Sequence, residues 1–309
     1  MPRCTPNPIA LFFFALLVAV LLSSIPLHAA DEGAYTIRAG ATEVRLAFAA
    51  ADRQGRTVRT LRANDVAVAD NGWIIRQFRS FRPASESPLD LVILLDTSGS
   101  VEKQLAAETA AVESFLASSA WSERDRVSIL AFGGMRPQLL CARNCLASAA
   151  RTKLNTLHAD GATPLYDALF EAAELLQKNR EPEMRPAIIL FSDGLDTISI
   201  HSPRDVVETA QNLQAAIYCV NTRSRKSAPS QGDALLNLLA ESTGGLSYPP
   251  EENVSAALRA VLDDLHSGYV LTYDPPQPSS GQHSVRVLST SDPRLHFHSR
   301  QAYDDRQGE

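Results

Sequence analysis

Apolar and polar residues follow one another along this chain with changing periods, and the changes divide it into zones. From about Tyr35 to Phe81 they alternate in short runs broken by turn residues. Tyr35-Thr36-Ile37 and Val44-Arg45-Leu46-Ala47-Phe48 predict strands. Asp52-Arg53-Gln54-Gly55 predicts a turn, and Asp70-Asn71-Gly72 a hairpin between Val66-Ala67-Val68 and Trp73-Ile74-Ile75. Residues 31–81 therefore read as a small antiparallel β module. Residues 82–88, with two prolines and two serines, read as a linker.

From Leu89 the pattern becomes strand then helix, repeatedly. Leu89 to Leu95 is apolar except for Asp90, which suits a strand buried on both faces. Leu105, Val112, Phe115 and Leu116 mark one face of a helix over 101–118. Strands follow at Arg126–Phe132, Pro137–Leu140, Ala187–Phe191, Ala216–Val220 and Gly245–Tyr248. Helices follow at Leu165–Leu176, from Pro203 with Ser202 as N-cap, near Asp233–Glu241, and at Glu251–His266. Repeated β-α units predict an α/β, doubly wound, mostly parallel sheet with helices on both faces, Rossmann-like in class, over 89–273. The strand Tyr269–Tyr273 is placed at the closing edge of that sheet. Residues 274–309 form a C-terminal β extension, with strands at Ser284–Leu288 and Leu295–His298.

The first thirty residues have another character. Arg3 precedes an apolar core from Ile9 to Leu22, and small residues ending His28-Ala29-Ala30 come before Asp31-Glu32. That order predicts a signal peptide over 1–30 and an exported protein, periplasmic or extracellular, with an uncleaved anchor as the alternative. The formal charge is −6, or −7 without Arg3. An acidic chain lacking a basic run argues against nucleic acid and anionic lipid as partners. Cys141 and Cys145, three residues between them, predict a disulfide in an oxidising compartment; Cys219 lies in an apolar run and predicts a buried thiol.

Ligands of open α/β sheets collect outside the carboxyl ends of the strands. Three such ends carry oxygen donors: Asp96-Thr97-Ser98-Gly99-Ser100, Asp160-Gly161-Ala162-Thr163-Pro164, and Phe191-Ser192-Asp193-Gly194. Carboxylates and hydroxyls are what a hard cation selects. Each piece also has an ordinary explanation: Ser100, Asp96 or Thr163 as helix caps, and Asp193-Gly194 as a turn.

Asp96-x-Ser98-x-Ser100 resembles the D-x-S-x-S of von Willebrand factor type A domains. The resemblance implies a metal-ion-dependent adhesion site made by Asp96, Ser98, Ser100, Thr163 and Asp193. It further implies that Ser98 and Ser100 bind Mg2+ or Mn2+ directly, with Asp96 and Asp193 acting mostly through water. The flanks resemble a narrower group of exported bacterial proteins of this type, through Asp70-Asn71-Gly72 and the Y-x-L-x-Y strand Tyr269–Tyr273. Two positions depart from that group: Val66 stands for an aromatic, and an R-K-G-Y pattern reads Arg300-Gln301-Ala302-Tyr303.

Five ligands leave one coordination position open, so the expected partner is a protein presenting an acidic residue. The rival readings are a structural or assembly protein with a silent metal site, and a metal-dependent hydrolase. Enzymatic patterns are missing: no G-x-S-x-G elbow, no phosphate-binding P-loop and no H-E-x-x-H occur.

Overall fold

The computed structural model describes residues 43–304 apart from 119–120, 146, 224–227, 251–252 and 277–280. The signal peptide and the strand expected at Tyr35–Ile37 lie outside the described residues. Among the described residues no helix is long and apolar enough to cross a membrane.

The N-terminal zone gives β1 (Val44–Ala51), β2 (Val66–Asp70), β3 (Trp73–Ile75) and β4 (Ser80–Pro83). The hairpin forms where the sequence places it. Asp70 pairs with Trp73, and Asn71 and Gly72 take φ of +46° and +85°, the left-handed pair that a two-residue turn requires.

The central zone runs β5 (Leu89–Asp96), a 3-10 turn (Gly99–Val101), α1 (Glu102–Leu116), β6 (Arg126–Phe132), β7 (Gln138–Cys141), α2 (Ala147–Leu154), α3 (Leu165–Lys178), β8 (Arg185–Ser192), α4 (Pro203–Leu213), β9 (Ala216–Asn221), α5 (Gln231–Thr243), β10 (Ser247–Tyr248) and α6 (Val254–Ser267). The strands assemble in the order β10-β9-β8-β5-β6-β7, parallel except for β7. Leu91, Ile93 and Leu95 face a core shared with α1, α2 and α6, while Val92 and Leu94 face one shared with α3, α4 and α5. The doubly wound class is therefore observed. Ser202 caps α4 in a reciprocal box with Asp205, and Pro203 opens the helix. Helix α2 carries no sequence signal strong enough to have been expected.

Two expectations are corrected. The strand β11 (Tyr269–Tyr273) does not close the parallel sheet. It pairs antiparallel with β1 and β4, in a sheet of order β13-β1-β11-β4, where β13 is His296–Ser299. All five of its residues are buried, because one face packs on the α/β body and the other on a second sheet. A strand covered on both sides reads like a parallel one. The second sheet has the order β14-β12-β2-β3, with β12 at Gln282–Ser289 and β14 at Ala302–Asp304. Leu46, Phe48, Val66, Val68, Leu271, Val285 and Val287 form the core that the two sheets share.

Residues 82–88 are likewise no free linker. Arg82 and Pro83 finish β4, Ala84–Glu86 make a 3-10 turn, and Ala84 and Ser87 are buried. Pro83 is tolerated because β4 is an edge strand. The zones 31–81 and 274–309 thus contribute strands to one β unit. A buried arginine fastens it to the α/β body: Arg300 donates to Gln211 O in the last turn of α4 at 2.9 Å and to Arg45 O at 2.8 Å. Within the body, Arg185 at the start of β8 donates to Leu265 O in the last turn of α6 at 2.7 Å. Helix C-termini favour such cations.

Candidate metal centre

Asp96, Ser98, Ser100 and Asp193 stand at the carboxyl end of the parallel sheet or on loops that leave it; Thr163 does not follow a strand, as the sequence suggested, but stands on the connection between α2 and α3, which the backbone ties to those loops. Asp96 is the last residue of β5 and is fully buried; Ser98 and Thr163 are also buried, Asp193 nearly so, and Ser100 is exposed. Asp96 Oδ1 accepts from Ser98 N at 2.9 Å, and the Ser98 and Ser100 hydroxyls lie 3.1 Å apart. Asp96 Oδ2 accepts from the Ser192 hydroxyl at 2.8 Å, and that oxygen in turn accepts from Gly194 N at 3.1 Å. The first and third loops are thereby linked through Ser192, the residue before Asp193.

Burial raises the Asp96 carboxyl to about 6. Hydrogen bonds from Ser98 and Ser192 pull the other way, and the negative charge of Asp193 adds to the rise. The group is held in a place that opposes its own charge.

The second loop is fixed from both sides. Gly99 N donates to Gly161 O at 3.3 Å and Asp160 N to Thr97 O at 2.8 Å, which ties it to the first loop. Thr163 N donates to Thr197 Oγ1 at 2.7 Å and Thr197 N to Thr163 O at 3.0 Å, which ties it to the third. Gly161 has φ +80°, and a Cβ there would stand 2.8 Å from Gly134 Cα. Gly194 has φ +79°, and a Cβ there would stand 2.4 Å from Gly232 O. Both positions need glycine for the loops to meet their neighbours this closely.

The ordinary explanations by capping fail at each helix. Neither the 3-10 turn after Ser98 nor α1 has a side-chain cap, so Asp96 and Ser100 do not serve there. At α3 the capping is done from a distance. Asp196 Oδ1 accepts from Leu165 N at 2.9 Å, and Ser199 Oγ accepts from Tyr166 N at 3.0 Å. Thr163 is released from that task. Only Asp193 keeps its ordinary role, as Leu195 N donates to its Oδ1 at 3.0 Å in a tight turn.

Sequence reasoning missed Ser192, Asp196, Thr197 and Ser199. Ser192 is adjacent to Asp193 in the quoted motif and carried a signal. The other three act on residues some thirty positions earlier, and nothing local marks them.

The donor set of two carboxylates and three hydroxyls is that of a hard divalent cation. A family model for the von Willebrand factor type A domain matches residues 91–195, a span that contains all five positions. The chain carries a von Willebrand factor type A domain. Modules of this type typically mediate protein–protein interaction.

Among curated proteins, inter-alpha-trypsin inhibitor heavy chain H4 of Sus scrofa is 27% identical over 221 residues, covering 67% of this chain and 23% of that protein. The 60 kDa magnesium-chelatase subunit of Rhodobacter capsulatus is 28% identical over 110 residues, covering 36% and 20%. The chain spans about a quarter of the length of the curated relatives it matches. Among solved structures, an aerotolerance-related membrane protein of Bacteroides fragilis superposes with TM-score 0.46 at 15% identity, covering 57% of this chain and 98% of that one. Manganese-loaded TRAP protein of Plasmodium vivax gives 0.44 at 14% identity, covering 78% and 99%.

Proposed function

We propose that this domain binds a protein partner through a divalent cation, Mg2+ or Mn2+, held by Asp96, Ser98, Ser100, Thr163 and Asp193. The observation that carries the reading is the convergence of two strand-end loops and the α2–α3 connection, whose hydroxyls are not used as helix caps. Two serine hydroxyls and a threonine hydroxyl are neutral, weak donors. A cation held mainly by them keeps appetite for an anionic ligand, and an aspartate or glutamate of the partner supplies it.

The neighbours of the hydroxyls support binding rather than catalysis. Ser98 and Ser100 hydrogen-bond each other, while His201, His283 and His298 pair with Asp167, Asp70 and Asp264. A serine nucleophile wants a base against it. With the N-terminal export pattern, we assign the interaction to the cell envelope or the extracellular space.

Calorimetric titration of magnesium and manganese into the purified protein tests the site. A saturable heat is expected. Capture from an envelope extract in magnesium and in chelator, read by mass spectrometry, tests the bridge. A partner retained equally in chelator would leave the cation without a role in binding.

A further inference from the structure

The third loop of the site is built with its polarity reversed. Its polar side chains turn inward: Asp196 and Ser199 cap α3, and Thr197 takes the Thr163 amide. Its apolar side chains face water, with Leu195 45%, Ile198 39% and Ile200 89% exposed. The loop is also pinned at its far end. Asp167 accepts from Ile200 N at 3.1 Å and from His201 N at 3.0 Å, and the His201 ring stacks on Phe170 at 4.0 Å. These apolar groups are therefore presented by a fixed backbone.

A second exposed apolar group stands on a loop that adjoins the first two loops of the site. Met135, 82% exposed, follows Gly133 and Gly134. Gly134 N donates to Ala162 O at 2.8 Å, and a Cβ on Gly133 would stand 2.5 Å from Thr97 Oγ1. Its loop thus lies against the residues next to Ser98 and Thr163. Of the eight large apolar residues exposed among the described residues, four sit on these two loops. Scattered exposed apolar residues need no explanation, but a group of them on two loops that adjoin one polar centre does.

We infer that Met135, Leu195, Ile198 and Ile200 form an apolar collar around the cation, and that the partner presents an acidic residue flanked by apolar side chains. The inference rests on the cation reading of the proposed function. The carboxylate completes the coordination shell while its apolar neighbours remove the collar from water. The metal supplies the requirement for charge, and the collar selects among acidic segments.

The test uses an array of synthetic hexapeptides with a fixed central glutamate and varied flanks, probed with the full chain in magnesium and in chelator. Peptides with leucine, isoleucine or phenylalanine beside the glutamate should be retained about tenfold better than those with serine or glycine, as burial of one such side chain implies. A Met135→Ser, Ile200→Ser double variant should lose that preference while its magnesium titration and melting stay as in wild type. Equal retention of polar-flanked peptides, an undiminished preference in the variant, or no chelator-sensitive retention at all would overturn the collar. If magnesium binds and the collar fails, the cation reading stands alone. If the wild type gives no magnesium heat, both readings fall.

Discussion

Asp70 and Asp96 are both fully buried carboxylates at the ends of strands, both hydrogen-bonded by hydroxyls, and yet their surroundings are opposite in kind. Around Asp70 the partners are large. The Tyr273 and Tyr303 hydroxyls donate to Oδ2 at 2.8 and 2.6 Å, and His283 Nδ1 lies 2.7 Å from Oδ1. The His283 and Tyr303 rings stack at 4.7 Å, and the Arg300 guanidinium covers the Tyr303 ring at 5.2 Å. Burial pushes both tyrosine hydroxyls upward, with the Asp70 charge adding to it, so they stay protonated and remain donors. Around Asp96 the partners are serines, and they lead outward to the exposed Ser100. Rings fill the space beside a carboxylate and make it a brace. Beside Asp96 the partners are small hydroxyls that end at the surface, the arrangement that the proposed cation site requires.

Removing the brace should have the largest effect. Asp70→Ala leaves a buried imidazole and two buried phenol hydroxyls without their acceptor, at a cost of about 3–5 kcal/mol. For a chain of this size that lowers Tm by roughly 10 °C. Thermal unfolding measures it, and the magnesium heat of the folded protein should not change. A variant that melts like wild type but no longer binds magnesium would reverse the roles given to the two aspartates.

Asp96→Ala should do the converse. The magnesium heat should vanish, and with it the stabilisation that metal confers, which is about 2.7 kcal/mol at a hundredfold excess over Kd. Without metal the variant should melt within a few degrees of wild type, because the lost carboxylate was already disfavoured by burial. Equal heats for the two proteins would sink the site.

Glu108 extends the comparison to a carboxyl with no partner. It is buried on α1, and neither of its oxygens is hydrogen-bonded. Burial first, and then the negative Asp96, push it up to about 8 from 4.5. The folded state therefore keeps a proton that the unfolded chain has lost, and stability falls as pH rises from about 4.5 to about 8. Glu108→Gln should flatten that slope and stabilise the protein at pH 8 by about 1–3 kcal/mol. Urea unfolding from pH 5 to 8 reads it, and an unchanged slope would assign the titration elsewhere.

Much of this is legible in the amino-acid sequence. Four of the five candidate residues stand on strand-to-helix turns that apolar runs predict, Thr163 stands on the connection between α2 and α3 instead, and the Asp70-Asn71-Gly72 hairpin forms as its residues require. The flanking patterns were legible as patterns and opaque as physics. Asp70, Tyr273, Arg300 and Tyr303 are separated by up to 233 positions, and only the pairing of β2, β12 and β14 together with the packing of β11 on that sheet brings them together. The misplacement of β11 has the same origin, since burial on both faces leaves no alternation to reveal which sheet a strand joins. The caps of α3 were hidden because Asp196 and Ser199 reach it from another loop.

The smallest effect should come from the Cys141–Cys145 disulfide, which braces the sheet edge remote from both aspartates. The bond is present, with the two Cα atoms 5.7 Å apart. Its five-residue turn is held by much else. Val127 N donates to Arg143 O at 2.9 Å, Arg143 N to Ser128 Oγ at 2.8 Å, and the Arg143 guanidinium pairs with Glu181 at 2.6 Å. Closing so short a loop restricts the unfolded chain little, so Cys141→Ser with Cys145→Ser should cost about 1–2 kcal/mol. The loss should be local, seen as faster amide exchange in β7 and α2 with the β unit unaffected. Magnesium binding should not respond, because the turn touches none of the three loops of the site. Free alkylation of both thiols in the unreduced exported protein would show that the bond is not made, and the edge would then depend on the Arg143 contacts alone.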